Sequence, residues 1–415
     1  MVIMKILVVG KGGREHALAW KFAQSDKVDE VYVAPGNEGI SLEKKCSVVD
    51  ATTVEQILNF AKSKKIDLTF VGSEDYLANG IVDVFREENL AIIGPEKKSA
   101  HLESSKVFSK QFMRRNNVQT ANFEVFDNAN NAINFAKKTN YPVVVKADGL
   151  ASGKGVFICD NFEQAFKAIE EMMVESRFSD AGKNIVIERF LNGFEASLFL
   201  LLDARNYKFF NFSKDHKKLL DGEKGPNTGG LGAITPHPSI DGRLMKKIDK
   251  KVILPTINGL EKEDIFYKGI LYIGLLIENG EPYVLEYNVR LGDPEAQSIL
   301  YLLKSDILEL SENIVESNIM DSKIEWYDGY SLCLVLCSEG YPFSYMKGEK
   351  IHFEPRIDSK IFFSGVKKGG SDLVTNGGRV LSLVNRAATL EEARKAVYQD
   401  AERIHFNSKY YRKDI

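Results

Sequence analysis

Over roughly the first hundred residues, short apolar runs rich in β-branched side chains alternate with stretches of helical periodicity. Residues 6–9, 31–33, 69–71 and 91–93 read as strands, and 16–22 as a helix after a glycine turn. Strands alternating with helices predict a parallel, doubly wound sheet. Gly94-Pro95 punctuates its end. A helix is then expected at about 104–116, and strands of a second, smaller unit at 143–147 and 185–188. Residues 195–202, 269–277 and 283–290 read as strands of a larger antiparallel sheet. After Asp321 the pattern restarts, with strands near 331–337 and 379–384. Thr389 and Glu392 have capping-box spacing before an Ala-rich helix. This tail reads as a small α+β module of its own.

Composition narrows the function classes. The 415 residues are 44% apolar and 27% charged, a globular balance. The net charge of -3 gives no basic excess, so no nucleic-acid partner is expected. Cys46, Cys159, Cys333 and Cys337 form no Cys-x-x-Cys pair and read as buried, inert thiols suited to a reducing compartment. The N-terminus runs straight into a strand-like segment without a small-residue cleavage site. The longest clean apolar run, 269–277, is too short to cross a bilayer as a helix. A soluble, cytoplasmic protein without a membrane partner is expected. No internal repeat or low-complexity segment is apparent.

Five segments carry candidate chemistry. Gly10-Lys11-Gly12-Gly13-Arg14-Glu15 joins a strand to a helix, where backbone N–H groups attract phosphate. Glu15 stands where a dinucleotide fingerprint needs glycine, which argues against a nicotinamide site. A phosphate-bearing substrate is compatible, with Arg14 as its charge partner; the alternative is a tight turn without ligand. Lys146-Ala147-Asp148-Gly149-Leu150-Ala151-Ser152-Gly153-Lys154-Gly155 sets a lysine at a strand end beside a glycine-rich loop. Its spacing is not that of a Walker A loop. It reads either as a flap closing over triphosphate or as a plain hairpin with a solvated lysine. Glu188, seven residues before Glu195, ends a strand whose backbone can meet an adenine ring while a carboxylate takes ribose hydroxyls. An exposed acidic pair is the plainer alternative.

Alternation along 283–290 puts Glu286, Asn288 and Arg290 on one face and Leu285, Tyr287 and Val289 on the other. Three polar groups in register on an otherwise apolar strand need water or a ligand. Glu and Asn offer oxygen ligands suited to Mg²⁺ shared with phosphates, and Arg290 offers a fork for a carboxylate or phosphate. A solvent-facing strand edge is the alternative. Lys214-Asp215-His216-Lys217-Lys218 precedes Gly225-Pro226-Asn227-Thr228-Gly229-Gly230-Leu231-Gly232-Ala233, whose glycines let backbone amides approach a ligand, unless the loop is disordered. His216 has no nucleophile elbow or metal-binding histidine partner nearby.

Together these residues resemble the phosphoribosylamine–glycine ligases of the ATP-grasp group. The resemblance runs from Gly10-Lys11-Gly12-Gly13-Arg14-Glu15-His16-Ala17 to Tyr411-Arg412-Lys413-Asp414. Asn227 to Gly232 and Glu286 to Glu295 are its specific parts. It implies an α/β and α+β multidomain chain. A Rossmann-like domain with a doubly wound parallel sheet would span 1–103 and an ATP-grasp domain of two subdomains 104–325, with a mobile lid at about 123–192. A small C-terminal α+β domain would span 326–415. It also implies ATP-dependent joining of glycine to 5-phosphoribosylamine through glycyl phosphate, with Mg²⁺ or Mn²⁺, by a monomer. Lys106, Lys146, Gly149, Ser152, Gly153, Lys154, Gly155, Glu188, Leu191 and Glu195 would then hold ATP. Glu286 and Asn288 would hold metal. Gly12, Gly13, Arg14, Asp215, Asn227, Thr228, Gly229 and Arg290 would line the substrate pocket, with Arg290 and Lys146 catalytic.

The chain departs from the family at Leu231, Leu291 and Ser152, and at Ser73-Glu74-Asp75-Tyr76. Residues 269–277 add no acidic metal ligand. Rival readings are another ATP-grasp ligase or biotin-dependent carboxylase, a nicotinamide oxidoreductase, and a nucleotide-binding regulator without catalysis.

Overall fold

The computed structural model describes residues 3–149, 155–175, 177, 179–265 and 267–415. Its first sheet is parallel and five-stranded, in the order Cys46–Val48, Val28–Pro35, Met4–Gly10, Leu68–Val71, Ile92–Ile93. Side chains alternate across a strand, and here both faces are covered. Ile6 and Val8 enter one apolar core while Leu7 and Val9 enter another. The doubly wound expectation follows from those runs, which have no polar face.

The central sheet is antiparallel and continuous across most of the chain. It runs Glu281–Asn288, Lys268–Glu278, Phe194–Asp203, Tyr207–Asp215, Gly232–Thr235, Tyr330–Ser338, Arg379–Ala387, Lys360–Phe363. The tail therefore does not close a sheet of its own. Tyr330–Ser338 pairs with Gly232–Thr235, from Gly232↔Leu334 to Thr235↔Ser331, because that short strand would otherwise leave a bare edge. The capping box at Thr389 and Glu392 opens the helix Leu390–Glu402 as expected. A four-stranded antiparallel sheet stands apart, in the order Phe123–Phe126, Ile185–Arg189, Val143–Ala147, Val156–Cys159. It has a small core of its own, built from residues such as Val145, Ala165, Ile169 and Ile187.

The helix expected at about 104–116 is Lys106–Arg115, and a further helix, Lys97–Ser104, precedes it. Ser105 breaks them with extended backbone, its hydroxyl accepting from Phe108 N at 3.0 Å as an N-cap. The strand placed at 283–290 is Glu281–Asn288, so Arg290 lies beyond its end. Its register slips at Leu285: Gly274 faces Glu286, and Leu275 faces Val284. That bulge leaves Leu285 unpaired and turns it with Glu286 toward the cleft, instead of onto the face of Tyr287. All four cysteines are free and buried. Among the described residues, no helix is long and apolar enough to cross a membrane.

Three histidines bear on stability. His16 Nδ1 accepts from Phe363 N at 2.9 Å and Nε2 meets Glu43 at 3.0 Å, tying the first sheet's helix to a C-terminal strand. His237 Nδ1 likewise accepts from Ser239 N at 3.0 Å. Protonating either Nδ1 removes its acceptor lone pair. Burial pushes His16 below the ordinary histidine value, His216 down to about 3 and His237 down to about 4. The unfolded chain then binds more protons than the folded one below about pH 6.5, so stability falls as pH drops through that value. Unfolding free energies from urea titrations at about pH 7 down to about pH 5 should decline, the slope approaching about 1.4 kcal/mol per pH unit for each histidine. A flat profile would mean that the histidines are charged in the folded protein.

Candidate active site

The C-terminal ends of the first sheet's strands, the end of the central sheet and the small sheet enclose one cleft of about 690 Å³. In an open α/β sheet this edge is where ligands collect.

At the small-sheet end the cleft gathers lysines. Strand Val143–Ala147 presents Lys146, whose Nζ lies 2.5 Å from Glu188 Oε1 on the paired strand Ile185–Arg189. The other oxygen, Oε2, is 2.6 Å from Lys110 Nζ, which also donates to Thr120 Oγ1 at 2.6 Å. Glu188 is 3% exposed, so its charge is stabilised by these cations and not by water. Burial alone would raise its carboxyl, yet Lys110 and Lys146 hold it below the usual range. Burial pushes Lys110 down to about 8 and lowers Lys106 as well. Lys106 Nζ donates to Gly149 O at 3.2 Å, and Val107 N donates to Asp148 Oδ1 at 3.1 Å. The base of the expected flap is thus tied to a helix N-terminus. Ser152, Gly153 and Lys154 lie outside the described residues, while Gly155 lines the cleft. Beside the lysines, Leu191, Ala121, Leu276, Tyr283 and Leu285 form a separate apolar cluster. Glu195 pairs with Lys217 at 2.9 Å.

The middle of the cleft holds Glu286, which makes no ion pair within 4.0 Å and no side-chain hydrogen bond with a described residue. Burial opposes its charge, but Lys217, Lys106, Lys146 and Arg290 keep its carboxyl low. Asn288 Oδ1 accepts from Arg290 Nη2 at 3.2 Å. Arg290 Nη2 also reaches Glu103 Oε1 at 2.6 Å, and its Nε lies 3.2 Å from Glu74 Oε2. Glu74 Oε2 is likewise 3.2 Å from Arg14 Nη2. One carboxylate thus bridges two arginines, and despite burial Arg290 and Arg14 hold it below the ordinary range.

The glycine motif's geometry explains its missing third glycine. Gly12 caps the helix Gly13–Phe22, and its N–H donates to Glu15 Oε2 at 2.6 Å. The protein's own carboxylate occupies that helix start. A Cβ on Gly72 would fall 2.3 Å from Glu15 Oε1, so Gly72 makes room for this side chain. A pyrophosphate at the same amides would meet that charge.

At the far end sit Asp215, Lys217, Asn227, Thr228 and Gly229. Asp215 Oδ1 is buried without a hydrogen-bond partner, and burial with the nearby Glu295 pushes its carboxyl well up. Thr228 closes the loop through its N and Oγ1, which both donate to Lys217 O, at 2.7 and 2.8 Å. Gly229 N donates to Tyr341 Oη at 2.9 Å, and Arg379 Nη1 donates to Gly229 O and Asp293 O, at 2.5 and 2.6 Å.

Of the candidate residues that are described, most line this one cleft, whereas Gly12, Gly13, Gly149, Glu188 and Leu191 do not line it directly. Sequence patterning does not pick out Lys110, Glu103, Tyr341 or Arg379. Lys110 follows Lys106 by one helical turn, a legible spacing. Tyr341 and Arg379 have no local signal, because sheet pairing brings them in from the tail.

Models of the phosphoribosylglycinamide synthetase family match most of the chain. The N domain covers residues 4–103, the ATP-grasp (A) domain 104–296 and the C domain 331–415. The phosphoribosylamine–glycine ligase of Clostridium acetobutylicum is 47% identical over 412 residues, 99% of either chain. That of Fusobacterium nucleatum is 44% identical over 417 residues, covering 99% of this chain and 98% of the relative. The crystal structure of phosphoribosylamine–glycine ligase from Thermotoga maritima superposes with a TM-score of 0.88 at 36% identity, over 99% of this chain and 100% of that one. A biotin carboxylase domain of Hydrogenobacter thermophilus, solved with MgADP and bicarbonate, shares the fold at TM-score 0.76 and 16% identity, over 99% of this chain and 92% of that one. On sequence over its whole length, the chain belongs to the phosphoribosylglycinamide synthetase family, that of the phosphoribosylamine–glycine ligases.

Proposed function

We propose that the chain joins glycine to 5-phosphoribosylamine at the expense of ATP, as a cytoplasmic, monomeric enzyme of purine biosynthesis. The observation that carries this is the shared cleft. Lys106, Lys110 and Lys146 face the Glu286, Asn288 and Arg290 group across it, with an unpartnered Asp215 carboxylate farther along. The glycine carboxylate oxygen attacks the γ-phosphorus of ATP. An O–P bond forms, the bond to the ADP oxygen breaks, and glycyl phosphate and ADP result. The amine nitrogen of phosphoribosylamine then attacks the acyl carbon, forms the C–N bond, expels phosphate and gives up a proton.

Phosphoryl transfer of this kind needs positioning and charge neutralisation more than a protein nucleophile. Lys106 and Lys146 supply charge to the phosphates, with Lys146 aligned through Glu188. Leu191 and Leu285 offer an apolar slot for the adenine, and Glu195 lies near enough for the ribose. Arg290 grips the glycine carboxylate. Gly12, Gly13, Arg14, Asn227, Thr228 and Gly229 hold the phosphoribosylamine, and Asp215 accepts hydrogen bonds from its amine.

The donor set fits a divalent metal shared with phosphate oxygens. Among the described residues no cluster of three or more His, Cys, Asp or Glu side chains stands ready to bind an ion by itself. An ion held jointly with a nucleotide needs only one or two carboxylates, and Glu286 is unpaired. Glu286 and Asn288 would hold Mg²⁺ or Mn²⁺, which would neutralise charge on the phosphates. The test is phosphate release with ATP, glycine and freshly made phosphoribosylamine, omitting each in turn. Release that ignores glycine would overturn the reading.

Two substitutions separate the roles. Glu286→Gln should lower kcat by about a hundredfold or more while nucleotide affinity, measured by calorimetry, changes little. Equal losses in both would assign Glu286 to the fold. Lys146→Ala should raise the KM for ATP by about tenfold. Unchanged ATP dependence would remove Lys146 from the nucleotide site.

A further inference from the structure

The hairpin formed by Lys218–Leu220 and Lys224–Asn227 leads into the far end of the cleft. Lys217 stands at its start, and Thr228 and Gly229 follow it. Most of the hairpin is exposed; Leu219 packs half-buried against the main apolar core, while the tip 220–225 is exposed throughout. Its tip is costly: Glu223 has φ +56°, a left-handed conformation that a side chain disfavours, between Gly222 at +70° and Gly225 at +79°. Something outside must hold it.

The segment 410–414 does so. Tyr410 Oη donates to Leu219 O at 2.6 Å, and Lys413 N donates to Asp221 Oδ1 at 2.9 Å. Gly222 N donates back to Asp414 Oδ2 at 2.7 Å. Arg412 is the hub. It is 1% exposed, and its Nη1 donates to Lys218 O at 3.1 Å while Nη2 reaches Glu223 Oε1 at 2.8 Å. One planar fork thus spans both ends of the turn, and Asp414 orients it through Nε and Nη2 at 2.8 and 2.9 Å. Lysine could not reproduce that geometry.

We propose that Arg412 is a positioning residue for ligation: through the hairpin it fixes Lys217, Asn227 and Thr228 against the cleft. This rests on the ligase reading above, because it assigns that end of the cleft to phosphoribosylamine and glycine. The hairpin ladder, Lys218↔Asn227 and Leu220↔Lys224, carries the restraint from the tip to the cleft. The two Thr228-to-Lys217 hydrogen bonds complete it. Lys106, Lys110 and Lys146 share none of these contacts; the link toward the nucleotide end is the partly exposed Lys217–Glu195 pair at 2.9 Å.

Three measurements test this on the full chain. In Arg412→Lys, and more mildly in Tyr410→Phe, hydrogen exchange at amides 218–228 should accelerate while the central sheet keeps its protection. In the same variants, kcat with glycine and phosphoribosylamine should fall, or their KM should rise, by about tenfold. The KM for ATP should stay within about twofold. Tyr410→Phe removes one hydroxyl, so its melting temperature should stay near that of the parent protein. Unchanged exchange in Arg412→Lys overturns the clasp, whatever the reaction proves to be. Accelerated exchange with losses spread equally over ATP and the other substrates would make Arg412 a stability residue alone. A parent protein that releases no phosphate with glycine and phosphoribosylamine sinks the ligase reading, and the positioning role with it.

Discussion

The cleft depends on one electrostatic constraint: the cations carried into it need acceptors held in place by the fold, a carboxylate for Lys110, Lys146, Arg14 and Arg290 and a backbone carbonyl for Lys106. A buried ion pair offsets its desolvation only with good geometry and additional hydrogen bonds. Glu188 meets this for Lys110 and Lys146 at once, one oxygen to each. Glu74 does the same for Arg14 and Arg290. At Glu188 one anion balances two cations, which leaves a local excess of positive charge facing the cleft, whereas Arg14 and Arg290 are paired with Glu15 and Glu103 as well. Such an excess favours an anionic ligand such as a triphosphate. Glu286 and Asp215 break the pattern: the first has no ion-pair partner among the described residues and the second has a buried oxygen without a hydrogen bond. Those are the acidic groups with capacity left for a ligand.

Backbone geometry sets these charges. The pairing Val144↔Glu188 puts Lys146 two positions along the neighbouring strand from Glu188 on the same face. The bulge at Leu285 does comparable work on the central sheet. It sends two consecutive residues toward the cleft, one apolar and one acidic, where regular alternation would send one. Without it, a slot lined by Leu285 and a carboxylate at Glu286 would lie on opposite faces.

Much of this was legible in the sequence, and the reasons differ by element. The uninterrupted run Ile6 to Val9 requires cover on both faces, so the doubly wound sheet follows from it. The glycine loops and the polar triplet at Glu286, Asn288 and Arg290 announce a ligand through residue types that a plain core would not use. The bulge was not legible, because Leu285 looks like any alternating apolar residue until its partner strand is known. The continuity of the central sheet was not legible either, since pairing of Tyr330–Ser338 with Gly232–Thr235 is nonlocal. Arg379 and Tyr341 reach the cleft through that pairing. The break at Ser105 is different: serine followed three residues later by Phe108 N as its partner is a cap signal, but the helical pattern on either side masks it.

The distribution of apolar cores decides which part of the molecule can move. The two larger cores mix residues of the first sheet with those of the central one, as Ile6 with Phe199 and Leu7 with Leu198. Displacing those parts would expose shared apolar surface. The small sheet's core draws only on its own strands and helices. Its links to the body include polar ones: Lys110 to Glu188, Lys106 to Gly149 O, and Val107 N to Asp148. Polar links of this kind exchange with water at low net free energy. The lysines that make two of them also line the cleft, so a triphosphate bound there would compete with Glu188 and Gly149 for the same ammonium groups. A nucleotide held by those lysines would thereby bear on the position of the small sheet.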